Sequence, residues 1–136
     1  MTFLTDDDSS PEFAGINEQR ATILLAHGSR DPIWREPIEA VAERLRQLAP
    51  ALQVRCAYLE AMAPDLADCA AELAGLGVNA ITIVPLFLGM GRHVRNDLPR
   101  LLVGLQERHP EIKVVLRPAI GEETQIIELM ARIALV

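Results

Sequence analysis

The chain has 136 residues, half of them hydrophobic, and a formal charge of −6 at pH 7, which is the size and apolar fraction of one domain with one core. Residues 1–20 hold five acids (Asp6, Asp7, Asp8, Glu12, Glu18) against Arg20, leaving 14 acids and 12 bases beyond them. That balance offers no basic face to nucleic acid, no stretch approaches the roughly 18 apolar residues of a membrane span, and the N-terminus lacks the cationic start and apolar centre of a secretory signal.

Residues 1–20, with Asp6-Asp7-Asp8-Ser9-Ser10-Pro11, bury too little to offset the entropy of ordering and read as a disordered acidic tail. The domain is expected over 21–136. Ala21 to Ala26 is a short apolar run that stops at His27-Gly28-Ser29, as a central strand ending in a loop should. Ile38, Val41, Ala42, Leu45 and Leu48 then recur at helical spacing, with Pro37 in the first turn, where its missing N–H costs nothing. Gln53 to Tyr58 alternates in the manner of a half-exposed edge strand. Pro64-Asp65 opens a second helix with the stripe Leu66, Cys69, Ala70, Leu73 and Leu76, closed by Gly77 in a left-handed cap.

Ile81 to Val84 is β-branched and apolar enough for a strand buried on both faces, and Pro85, Gly89 and Gly91 then break the ladder. His93, between Arg92 and Arg95, falls on the loop that follows. Asp97 reads as the cap of a third helix with the stripe Leu98, Leu101, Leu102 and Leu105, ended by His109-Pro110. Ile112 to Leu116 is the fourth strand, and Ile126, Ile127, Met130 and Ile133 give a last helix its apolar side.

Strands alternating with helices imply a single three-layer α/β domain with a four-stranded parallel sheet, because each helix carries the chain back over the sheet by a right-handed crossover. The first and third strands are the most apolar and belong in the centre, which gives the order 2-1-3-4 and a topological switch point between them.

His27, Glu60 and His93 follow the first, second and third strands, so all three should face one rim. Two imidazoles and a carboxylate there suit a divalent metal with positions left open, or a set of general bases. Arg30, Arg92 and Arg95 share that rim, and guanidinium forks beside helix N-termini suit a ligand with several carboxylates. His109 belongs to the opposite rim. Gly89-Met-Gly91 is no dinucleotide loop, since the third glycine would fall at Val94. Neither a GxxxxGK phosphate loop nor a serine elbow is present. Cys56 and Cys69, the only cysteines, form no CxxC pattern and read as buried free thiols of a cytoplasmic protein rather than a disulfide or thiolate metal site.

His27-Gly28-Ser29-Arg30-Asp31-Pro32, Tyr58-Leu59-Glu60 with Pro64, Pro85-Leu-Phe-Leu-Gly-Met-Gly-Arg-His93 with Asp97 and Pro99, and Arg117-Pro118-Ala119-Ile120-Gly121 together resemble the small CbiX-type sirohydrochlorin chelatases. These are single-domain relatives of the class II chelatases and ferrochelatase. The resemblance covers Ala21 to the C-terminus and implies a flavodoxin-like, chelatase-like half-domain. It implies insertion of Co2+, with Fe2+ or Ni2+ as alternatives, into sirohydrochlorin, a tetrapyrrole with eight carboxylates, on the way to cobalamin. The metal is then a substrate and no prosthetic group is expected. His27, Glu60 and His93 take the metal-handling and catalytic positions, and Ser29, Arg30, Leu88, Gly89, Gly91, Arg92 and Arg95 the substrate-binding ones. The resemblance also implies a homodimer with the tetrapyrrole between subunits. A non-catalytic metal or tetrapyrrole binder, or an interaction module, on the same fold is the competing reading.

Overall fold

The computed structural model describes Thr2–Phe3 and residues 18–136. One parallel sheet runs through it, built from β1 (Thr2–Phe3), β2 (Arg20–Ala26), β3 (Gln53–Tyr58), β4 (Ala80–Pro85) and β5 (Lys113–Leu116) in the spatial order β1-β5-β4-β2-β3. Numbered as the four predicted strands, β2 to β5 have the expected order 2-1-3-4, and β2 and β4 meet at the switch point. The added strand β1 falls within the stretch read as a disordered tail. There its backbone occupies the ladder groups that β5 would otherwise leave open at a sheet edge. The rest of that expectation, residues 1 and 4–17, lies outside the described residues.

Helices α1 (Glu36–Leu48), α2 (Leu66–Gly75), α3 (Arg92–Arg108) and α4 (Thr124–Ala134) connect or follow the strands, with short 3-10 turns at Pro32–Arg35 and Ile120–Glu122. The pleat sends alternate residues to opposite faces. Ile23, Leu25, Ala57, Ile81, Ile83, Val114 and Leu116 meet Leu66, Cys69 and Leu73 of α2 and Leu98, Leu102 and Leu105 of α3 in the main core. On the other face Leu24 and Val54 pack with Ala42 of α1. Each large side chain so buried stabilises the fold by about 1.5–3 kcal/mol relative to exposure.

Two caps match the sequence. Asp65 accepts a hydrogen bond from the Asp68 N–H at 2.8 Å, and Gly77 turns the chain at φ +84°. The third helix differs. It starts at Arg92 with Gly91 as its N-cap, so Asp97 caps nothing and Pro99 lies inside it. Asp97-Leu98-Pro99 imitates a helix start because proline is favoured in a first turn. Here the helix tolerates the single hydrogen bond that Pro99 cannot make to Arg95, while Val94 and Leu98 extend its apolar stripe onto the core.

The stripes also bury less than their spacing suggested: Val41, Leu48, Leu76 and Leu101 are exposed. Most of α4 covers nothing, with Ile127 at 52%, Met130 at 38% and Ile133 at 67% exposure and no fully buried residue.

Cys56 lies on β3 with its thiol toward the Ile38 carbonyl of α1, whereas Cys69 reaches β3 from α2 on the opposite face. Both are free thiols on opposite sides of the sheet, which rules out a bond between them. Burial pushes the Cys69 thiol up to about 12, the Glu72 carboxylate adding to the effect. The folded chain therefore holds this proton more tightly than the unfolded one, so stability is intact below pH 9 and falls as pH rises from 9 toward 12. We expect neither cysteine to react with iodoacetamide at pH 8 until the chain is unfolded, and Cys69→Ala to flatten the loss of denaturation midpoint above pH 9.

Two glycines permit close approaches at the carboxyl rim. Gly28 has φ +99°, and a Cβ there would overlap the Glu60 carbonyl; a Cβ on Gly121 would overlap the Leu88 backbone. Gly89 and Gly91 have open space around them, and Gly91 has φ −69°. Gly28→Ala should therefore cost about 3 kcal/mol or more in urea denaturation, and Gly89→Ala less than about 0.5 kcal/mol.

Candidate active site

The strand ladder continues past the strand ends and ties the rim loops together. Leu59 N–H donates to the Ala26 carbonyl and Glu60 N–H to the His27 carbonyl, both at 3.0 Å, and Leu86 N–H donates to the Leu25 carbonyl at 2.7 Å. Beyond Glu60 the chain turns sharply at Ala61, held at φ +65°, a left-handed conformation that an L side chain adopts at a cost. Met62 N–H returns to the Glu60 carbonyl at 2.8 Å and Tyr58 N–H is bonded to the Pro64 carbonyl at 2.9 Å, which closes the loop. The His27 ring stacks on the buried Phe87 ring, centroids 4.2 Å apart at 29°. A loop after β4 thus supports a side chain from the loop after β2.

Three of the sequence-selected residues meet. His27, Glu60 and His93 line one open pocket of about 400 Å3, together with Leu59, Val94, Asp97, Leu98 and Leu101. His27, Glu60, His93 and Asp97 are all exposed, and none makes a side-chain hydrogen bond or ion pair with another described residue. They line the pocket without closing on a common point: among the described residues, no three His, Cys, Asp or Glu side chains form a group that could hold a metal ion. His93 is held on the first turn of α3, not on the loop expected for it, which fixes its direction relative to Val94, Asp97, Leu98 and Leu101 on the same helix.

The remaining candidates lie outside this pocket. Arg95 lines a neighbouring, mostly apolar cavity of about 190 Å3 with Met90, Leu98, Pro99, Leu116, Arg117 and Pro118. Arg117 is committed to Glu123, the one buried charged residue among those described, at 2.8 Å. Arg30, Arg92 and Arg95 have no acidic partner among the described residues. The first turn of α3 carries Arg92 and Arg95 and no acid. Cations at a helix N-terminus oppose the macrodipole, so this end of α3 is electrostatically short of negative charge. Ser29 is spent locally, its hydroxyl accepting from the Asp31 N–H at 3.1 Å, while Asp31 caps the Pro32–Arg35 turn. Leu88 is 73% exposed, and Gly89 and Gly91 lead into α3. His109 stands at the far end of α3, 4.0 Å from Glu111.

Sequence reasoning missed Asp97 and Phe87. Asp97 was legible as the i+4 partner of His93 once α3 is started at Gly91. Phe87 gave no local signal, because its contact with His27 spans two strands.

The CbiX family model matches residues 21–134. A sirohydrochlorin cobaltochelatase of Methanopyrus kandleri is 33% identical over 82 residues, 60% of this chain and 57% of that protein, so the match spans little more than half of the relative. The sirohydrochlorin cobaltochelatase of Sulfolobus acidocaldarius is 27% identical over 108 residues, 79% of this chain and 84% of that one. Among solved structures, a Marinobacter aquaeolei VT8 protein named for cobalamin (vitamin B12) biosynthesis and CbiX superposes with a TM-score of 0.76 at 33% identity, covering 85% of this chain and 93% of its own. The sirohydrochlorin chelatase SirB of Bacillus subtilis subspecies spizizenii, solved in complex with cobalt, superposes with a TM-score of 0.72 at 22% identity over 84% of this chain and 49% of that one, a likeness of fold. With a strand order, a rim of histidines and a family match over residues 21–134 all in agreement, this chain belongs to the CbiX family.

Proposed function

We propose that the chain inserts a divalent metal, Co2+ in the first instance, into sirohydrochlorin, with His27, Glu60 and His93 handling the metal and the departing protons. The observation that carries this reading is the joint placement of those three side chains on one open pocket at the switch-point rim. Insertion exchanges one M2+ for two pyrrole protons, so the site must shed ligands from a hydrated ion and accept two protons. Imidazole can do either near neutral pH, and a carboxylate can ligate or take a proton. A metal that is substrate must also leave. A pocket whose ligands do not close on a common point suits delivery better than a closed site of four ligands, which serves to retain its ion.

Arg30, Arg92 and Arg95 are the proposed anchors for the acetate and propionate groups. Their lack of acidic partners among the described residues and the anion-poor start of α3 support that role, since each bound carboxylate would relieve the opposition between the arginines and the helix dipole. Leu88, Gly89 and Gly91 form the strap that approaches the ring, and Ser29 holds the loop after His27.

A pocket of about 400 Å3 open on one side does not enclose a tetrapyrrole. The reading therefore includes a second copy of this chain as the missing wall, and the uncovered apolar side of α4, with Ile127, Met130 and Ile133, supports a contact between copies. Free thiols, Cys69 buried and Cys56 half-buried, fit a reducing cytoplasm. Among the described residues no helix is long and apolar enough to cross a membrane.

Mixed anaerobically with sirohydrochlorin and Co2+, the protein should accelerate the change in visible absorption, and His93→Ala should slow it by about a hundredfold. Full activity in that variant removes His93 from the mechanism. Stoichiometric binding without acceleration instead favours a metal or tetrapyrrole carrier. Parallel rates with Fe2+ and Ni2+ decide the metal, which the ligand set alone does not select. Sedimentation should give a dimer for the native chain and a monomer for the double variant Ile127→Glu, Ile133→Glu; an unchanged dimer in that variant moves the interface off α4.

A further inference from the structure

Asp97 has no structural task among the described residues. Gly91, not Asp97, caps α3, and Asp97 makes no hydrogen bond or ion pair with another described residue. Five other acids hold structural roles, since Asp65 and Asp31 cap turns, Glu72 pairs with Arg55, Glu123 with Arg117 and Glu128 with Arg132, whereas Glu36, Asp68, Glu107 and Glu122 resemble Asp97 in making no such contact with another described residue. What distinguishes Asp97 is position. It stands one turn after His93 on the same exposed side of α3 and lines the same pocket.

We propose that His93 and Asp97 form a two-ligand landing site for a hydrated divalent transition-metal ion, occupied before the metal engages His27 and Glu60. Side chains four apart on a helix are neighbours whose Cβ atoms stand roughly 5–6 Å apart, and paired ligands at this spacing bind one ion from a single helix face. An imidazole and a carboxylate suit Co2+, Ni2+, Fe2+ and Zn2+ and do not favour Mg2+. With no third His, Cys, Asp or Glu grouped with them among the described residues, most of the ion's coordination positions would stay with water. The ion is therefore held loosely and can be passed on.

The charges around the pair are arranged to permit this. Glu60 faces it from the loop after β3 and adds negative charge across the pocket. Arg95, two residues after His93, lies half a turn round the helix and lines the separate cavity beside Leu116 and Arg117. The Arg95 guanidinium thus stands on a different side of α3 from the His93–Asp97 pair. The site depends on the chelatase reading only for what happens after the metal arrives.

The test titrates the full-length chain with Co2+ alone, without tetrapyrrole, followed by calorimetry and by the visible absorption of protein-bound cobalt. The native chain should bind one ion, Asp97→Asn and Asp97→Ala should weaken binding at least tenfold, and Glu60→Gln should weaken it less. Circular dichroism checks that each variant keeps its helices. Native-like affinity in the folded Asp97→Asn variant overturns the proposal, as does failure of the native chain to bind Co2+ at about millimolar concentration. In turnover, Asp97→Asn should raise the KM for metal and leave the KM for sirohydrochlorin unchanged; a rise in both overturns the assignment. A chain that binds Co2+ through Asp97 without accelerating metallation supports the landing site and refutes the chelatase reading alone.

Discussion

The candidate site depends on the ladder of backbone hydrogen bonds that β2 keeps making after its strand has ended. Glu60 N–H to the His27 carbonyl and Leu86 N–H to the Leu25 carbonyl extend the pairing of β2 with both neighbours into the loops. Backbone bonds of this kind contribute about 1 kcal/mol each, yet their effect here is geometric. They bring the loops after β3 and β4 against the loop after β2, so a histidine, a glutamate and the entry to α3 share one rim. Gly28 is required by the same ladder, because its bare α-carbon lets the Glu60 carbonyl come closer than a side chain would allow.

The sheet supplies rigidity on one side of the site and the helices supply direction. Ile23, Leu25, Ile81 and Ile83, all buried, fix β2 and β4 at the centre. Val94, Leu98, Leu102 and Leu105 then fix α3 on that sheet, and the rotation of α3 decides what faces the pocket. Because Leu98 must point inward, His93, Asp97 and Leu101 are turned toward the rim and Arg95 toward the neighbouring cavity. Packing in the core therefore sets the chemistry at the surface. Side-chain hydrogen bonds among the described residues contribute nothing to aiming these groups, since none of the four polar pocket residues makes one with another described residue; aim comes from backbone and from the His27–Phe87 stack.

Much of this was legible in the sequence because the signals were local. Apolar runs and helical periodicity gave the four principal strands, the helices and the 2-1-3-4 order, and the position of His27, Glu60 and His93 after successive strands gave their common rim. The start of α3 was not legible, because Asp97-Leu98-Pro99 satisfies the local rules for a helix start, whereas the Val94 contact that carries the helix upstream is tertiary. That single error hid Asp97 as a pocket residue and placed His93 on a loop. Strand β1 was illegible for a related reason: two residues carry no periodicity, and their pairing is with the far end of the chain. The exposure of α4 was invisible to pattern alone, since an amphipathic stripe says that a face seeks cover and not where the cover is.

If the metal is cargo, as proposed, an open arrangement of ligands is what its role asks for. A site that retains its ion gains affinity by closing several ligands around it, and each added ligand deepens the well from which the ion must later escape. Here four ligand-bearing side chains line one pocket, yet no three of them close into a group that could hold an ion. Such spacing would trade affinity for fast exchange, provided that the proposed acceptor, four ring nitrogens, binds far more tightly than any pair of protein ligands. On the proposed function the tetrapyrrole would be fixed while the metal is loose, which would assign the strong, multivalent interactions to the ring's carboxylates and the arginines rather than to the metal. Arg30, Arg92 and Arg95, without acidic partners among the described residues, supply the charge that this proposed division of labour requires.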